Sequence, residues 1–158
     1  MSEILRFDDW TSPVPPAPRE VLSAAPESGE DVPPLLFVPG PGGSAHLFAE
    51  HWLGHAAARG FAAHALTPRP EGDLRAYAHD VVQVAAGLPR QTVLVGHGAG
   101  ALIVARALAR YPARAVVLVS PVLERGATRL VICCMTAHHL LPRLPAELRR
   151  AIVSVPEV

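Results

Sequence analysis

Two glycine-rich turns hold the residues most able to do chemistry in this 158-residue chain. One is Gly96-His97-Gly98-Ala99-Gly100, between the apolar Val93-Leu94-Val95 and a helix-like stretch. Flanking glycines let a chain turn sharply without a Cβ clash, lifting the middle residue above a sheet. Here that residue is Gly98, which has no side chain to react. The other turn is Gly40-Pro41-Gly42-Gly43-Ser44-Ala45. It formally satisfies Gly-x-Gly-x-x-Ala, a spacing with which backbone amides and a helix N-terminus meet a pyrophosphate. Arg69, past the next strand, could then face a 2′-phosphate, giving an NADP-binding, Rossmann-like alternative. Against it, no ribose-binding acid ends that strand, and Pro41 removes one amide from the loop.

The remaining polar candidates have simpler readings. Glu124 with His138 or His139 is conceivable as acid/base machinery acting through water, with His97 as a further participant. A solvated Glu and two loop histidines explain the same residues. Ser120 ends a strand and reads as a turn serine. His51 and His55 sit four apart, a spacing that can place two ligands on one helix face. With no third ligand at a recognisable spacing, surface histidines are the reading and no metal is expected. Cys133 and Cys134 read as small apolar residues rather than a redox pair, because adjacent side chains diverge in regular structure. Trp10 and Trp52 read as packing residues.

Composition narrows the classes. Half the residues are apolar and 18% are charged, so one domain with a core can form. The 14 basic residues, all Arg, balance 14 acidic ones, leaving no excess to draw the chain to nucleic acid or an anionic membrane. Without Lys there is no Schiff-base chemistry and no Walker A lysine. No apolar run reaches membrane-span length and the start is no signal peptide, so the expected location is cytoplasmic.

The turns must be positioned by the elements around them. Prolines crowd residues 1–41, so 1–18 reads as a tail, poorly ordered or draped on the surface, with an edge strand fitting around 19–25. Leu35–Val38 is a continuous apolar run of the kind buried on both faces of a parallel sheet. A helix is expected over 46–59 with Gly60 closing it, then a strand at 61–66. Asp73 can cap a helix over 74–87 with Leu74, Tyr77, Val81, Val84 and Ala85 on one face. A strand at 92–95, a helix at 101–111 and a strand at 115–119 follow. Leu130–Met135 is ambiguous, and Pro145–Val153 reads as a short amphipathic helix. Strand–helix alternation with short links marks a parallel α/β sheet.

Residues 33–121 resemble the N-terminal half of an α/β hydrolase of the lysophospholipase or esterase kind. The resemblance rests on Phe37-Val38-Pro39-Gly40, Arg59–Leu66, Tyr77-Ala78-His79-Asp80-Val81 and Val93–Gly100, in that order and spacing. It implies a truncated, α/β-hydrolase-like fold with a mostly parallel sheet of about four core strands and flanking helices. Residues 1–32 would precede this core, and 122–158 would cap it or cover its edge. It also implies that Gly96–Gly100 is the nucleophile elbow Gly-x-Ser-x-Gly. Gly98 then stands where the serine would be, and no catalytic residue is assigned. Pro41 lacks the N–H that would help bind an oxyanion, leaving Ala99 N–H, with Gly42 or Gly43 as substitutes. The family's acid and His lie on later loops not recognised here. The expectation is a catalytically inactive or truncated hydrolase, without cofactor, retaining a small-ligand pocket at Gly40, Pro41, Gly42, His97, Gly98 and Ala99. The resemblance also places the first core strand between the second and third. The 115–119 edge should be covered by Leu130–Met135 or paired in a homodimer.

Overall fold

A computed structural model describes residues 12–28, 31–121 and the backbone of 133–135. The helix expected at Pro145–Val153 lies outside the described residues, as do Trp10, Glu124, His138 and His139.

The apolar run Leu35–Val38 is strand β2, preceded by an edge strand β1 at Glu20–Ala24. The later strands are β3 (Ala63–Thr67), β4 (Val93–His97), β5 (Ala115–Val119) and β6 (Cys133–Met135). They form one sheet in the order β1-β3-β2-β4-β5-β6. The four central strands are parallel, and β1 and β6 are antiparallel to their neighbours. The expected core is therefore present, with β2 between β3 and β4. On the far side of β5, Val116, Val117 and Leu118 pair with Met135, Cys134 and Cys133. The edge over these three residues is thus covered from within the chain, at the positions a second copy would have used.

Period-two alternation divides the core between the two faces of the sheet. Leu36, Val38, Leu66 and Leu94 pack with Tyr77, Val81 and Ala85, and with Ile103, Val104 and Ala107. These come from helices α3 (Leu74–Ala86) and α4 (Gly100–Ala107). On the other face Phe37, Val93 and Val95 pack with Phe48, Leu53 and Ala56. Asp73 caps α3 as expected, its Oδ1 accepting from Ala76 N–H at 2.8 Å.

The segment expected as one helix over 46–59 is two, α1 (His46–Ala49) and α2 (Trp52–Ala58). Ala45 N–H is tied to Thr67 Oγ1 at the end of β3, 2.9 Å away. Burial of Leu53, Ala56 and Ala57 sets the axis of α2 separately. The chain breaks between these two constraints, at His51 with φ −122°. Gly60, at φ +85°, ends α2 in a Schellman arrangement: its N–H reaches Ala57 O and Phe61 N–H reaches Ala56 O. Helix α4 is shorter than the expected 101–111, because its last turn tightens to three-residue bonds such as Arg110 N–H to Ala107 O.

Among the described residues, one ion pair has both side chains buried. Arg69 Nε donates to Asp80 Oδ2 and Nη2 to Oδ1, both at 2.8 Å, with Asp80 1% and Arg69 5% exposed. Arg69 Nη1 donates to Pro15 O, and Arg75 donates to Ser12 O, so residues 12–15 drape against α3. Hydrogen bonding to the Asp80 carboxylate holds the guanidinium above its ordinary pKa. Asp80→Ala should cost about 3–5 kcal/mol in urea unfolding by leaving a buried charge unpaired, while Arg69→Met with Asp80→Leu should recover most of it.

His64 and His79 are held below the ordinary 6.5, both first by desolvation. Below about pH 6.5 the unfolded chain therefore binds protons that the folded chain refuses, and stability falls as pH falls. Unfolding midpoints between pH 7.5 and about 5 should drop, and His64→Gln with His79→Gln should flatten that slope.

Candidate functional site

The carboxyl ends of β2 and β4 lead into the two glycine-rich turns, and the backbones of those turns touch. A Cβ on Gly100 would overlap Val38 O and lie 2.8 Å from the Pro39 carbonyl carbon. A Cβ on Gly40 would lie 3.0 Å from Ala99 Cβ. No larger residue fits at Gly100 without moving β2 away from α4. The two turns that the resemblance assigns to one pocket are therefore adjacent, through Val38–Gly40 and Ala99–Gly100.

Between Gly96 and Gly100 the chain turns at Gly98, with φ +58° and its N–H donating to Val119 O at 3.0 Å. Nothing lies within 4 Å of where a Gly98 Cβ would stand. The apex is thus raised, held at its amide, and open. Ala101 N–H reaches back to Gly98 O and Leu102 N–H to Ala99 O, so helical bonding starts there. Ala99 and Gly100 amides stand at the helix start, the end carrying partial positive charge. Such an end favours a carbonyl oxygen or an anion.

The facing loop is a tight turn. Gly43 N–H donates to Gly40 O at 2.9 Å, with Pro41 second and Gly42 third at φ +79°. These are the residue preferences of a type II turn. Gly43, one of the two amides considered as a substitute for Pro41, is therefore used inside the turn. Thr67 Oγ1 holds the far end of the loop through Ala45 N–H.

His97 is half-buried, and its ring meets Phe48 and Trp52 edge-on at 6.1 and 6.2 Å. Those two rings cluster with Phe37. Trp52 packs as expected. The aromatic wall beside the apex was not singled out from the sequence, because Phe37, Phe48 and Trp52 read individually as core. Ser120, just after β5, whose Val119 O accepts from the elbow, is the single non-glycine at positive φ (+44°) among the described residues. A serine carries no sequence signal for that conformation.

Other candidates lie elsewhere. Arg69 does not face a phosphate, since its guanidinium is occupied by Asp80 and the Pro15 carbonyl. That removes the cation on which the NADP reading relied. His55 is exposed, its Nδ1 accepting from Arg59 Nη1 at 3.0 Å.

A model described as the alpha/beta hydrolase family matches residues 35–157. No curated protein matches the chain. Among solved structures, the mature lipase of Bacillus licheniformis is 20% identical at a TM-score of 0.55, over 65% of this chain and 46% of that one. A carboxylesterase structure from the Thaumarchaeon Nitrososphaera gargenis is 14% identical at 0.57, over 66% and 42%. A Ser-to-Gly mutant of the N-acyl homoserine lactonase AidH, complexed with N-hexanoyl homoserine lactone, is 23% identical at 0.54, over 64% and 41%. At these identities the likeness concerns the fold. The chain spans less than half the length of each.

The packing at the turns separates two substitutions. Gly98→Ala should cost about 1–2 kcal/mol, the penalty of a left-handed conformation alone. Gly100→Ala should cost about 3 kcal/mol or more, since the added carbon meets backbone. Thermal unfolding of the two variants checks the order.

Proposed function

Since this chain belongs to the alpha/beta hydrolase family, we propose that its two glycine-rich turns hold a small ligand without forming an acyl-enzyme. The observation that carries this is Gly98, at φ +58° on the strand–turn–helix apex with open space above it. In the family's elbow the middle residue is a serine whose Oγ stands above the sheet. A glycine keeps the turn and leaves no atom to attack a carbonyl.

The oxyanion side supports the same reading. The residue after the apex, Ala99, keeps its N–H. The facing loop offers Pro41, which has none, and Gly43, whose amide closes its own turn, leaving Gly42 as the one substitute amide. Loss of a single oxyanion donor costs about 10²–10³ in rate. What persists is a scaffold in which two loops meet below an open apex, with His97 beside it packed on Phe48 and Trp52. The lactonase complex fits this reading, since a Ser-to-Gly mutant of that protein holds N-hexanoyl homoserine lactone.

The test combines turnover, labelling and binding. With p-nitrophenyl acetate and butyrate the protein should release nitrophenol no faster than buffer, and a fluorophosphonate should leave no serine adduct. Turnover accompanied by one serine adduct per chain overturns the proposal. For binding, N-hexanoyl homoserine lactone and short-chain esters serve as probes. A rise in melting temperature that Gly98→Leu abolishes supports the ligand site; no rise with any probe counts against it. Gly98→Ser alone should give little esterase activity, because Pro41 still withholds the amide at the loop's usual donor position, a loss worth about 10²–10³ in rate.

A further inference from the structure

Beside the elbow the chain leaves β5 through Ser120 and Pro121. Ser120 has φ +44°, a left-handed conformation that serine rarely adopts. The proline after it makes the conformation rarer still, since a residue before proline favours extended backbone. Both neighbours of Ser120 are pinned. Val119 O accepts from Gly98 N–H at 3.0 Å, and Val119 lies opposite His97 in the β4–β5 register. Pro121 is fully buried. Glycine would take this backbone without strain, and what serine adds over glycine is a hydroxyl on one carbon.

That hydroxyl has no hydrogen-bond partner among the described residues, although Ser120 is half-buried. No sealed side-chain oxygen or nitrogen among them lacks a partner, so this unpaired hydroxyl is open to an incoming group. The His97 imidazole, across the same β4–β5 contact, is also without a hydrogen bond among the described residues. We propose that Ser120 is a ligand-binding residue of the elbow site, its hydroxyl donating to an oxygen of a carboxyl group, or its ester or lactone, held over Gly98. This rests on the reading of the elbow as a ligand site. Strained residues collect at binding sites, where the surrounding structure fixes the side chain before the ligand arrives. With no atom within 4 Å of a Cβ at Gly98, the apex leaves the ligand room beside Ser120.

N-hexanoyl homoserine lactone and hexanoic acid are the probes, followed by calorimetry and melting temperature. Ser120→Gly and Ser120→Ala should each weaken binding by about three- to tenfold, the ordinary worth of one neutral hydrogen bond. Without ligand, Ser120→Gly should melt no lower than the parent protein, because glycine adopts positive φ freely. A lower melting temperature means that the hydroxyl serves the fold, and overturns the proposal. Unchanged affinity in the Ser120 variants, with binding abolished by Gly98→Leu, overturns it and leaves the elbow reading standing. Weakened binding in the Ser120 variants, with Gly98→Leu unaffected, overturns the elbow reading and supports the Ser120 contact. A parent protein that binds neither probe overturns both.

Discussion

The candidate site depends on one steric constraint, the approach of the α4 start to the end of β2. At Gly100 the backbone runs so close to Val38 and Pro39 that no side-chain carbon fits. A contact of that kind is set by main-chain geometry and leaves little slack. It places the Gly40 turn against Ala99, brings two amide-bearing loops together at the carboxyl ends of the central strands, and fixes the position of Gly98. The aromatic cluster of Phe37, Phe48 and Trp52 then supports the turn from the α1–α2 face, with His97 at its rim.

Neighbouring glycines therefore have opposite meanings. At Gly100 the missing side chain is a packing requirement, and a larger residue would separate two elements. At Gly98 the missing side chain is a chemical fact, since the space above it is open. The fold would accommodate a hydroxyl there for the modest strain of a left-handed residue. A glycine at this apex is thus not forced by the architecture around it.

Much of this was legible in the residues. Continuous apolar runs identified Leu35–Val38 and Ala115–Val119 to the residue, because strands buried on both faces have no polar positions. Asp73 announced α3, since a capping carboxylate acts locally. The two turns were readable because glycine spacing reflects backbone shape directly. The break between α1 and α2 was not, because it comes from Thr67, far along the chain, holding Ala45. The buried role of Arg69 was equally hidden: nothing near it in sequence says that its partner is Asp80, one turn of chain and half a helix away. The hydrogen bond from Thr67 Oγ1 to Glu20 Oε2 needs the β1–β3 register, which no local pattern encodes.

The Arg69 guanidinium joins three stretches distant in sequence: a helix through Asp80, the link after β3, and the proline-rich segment through the Pro15 carbonyl. It does so because its donors lie in one plane and point in different fixed directions. A lysine ammonium, with the same charge concentrated at a point, has no such fork. In a chain whose 14 basic residues are all arginine, this position shows that the preference carries shape as well as charge.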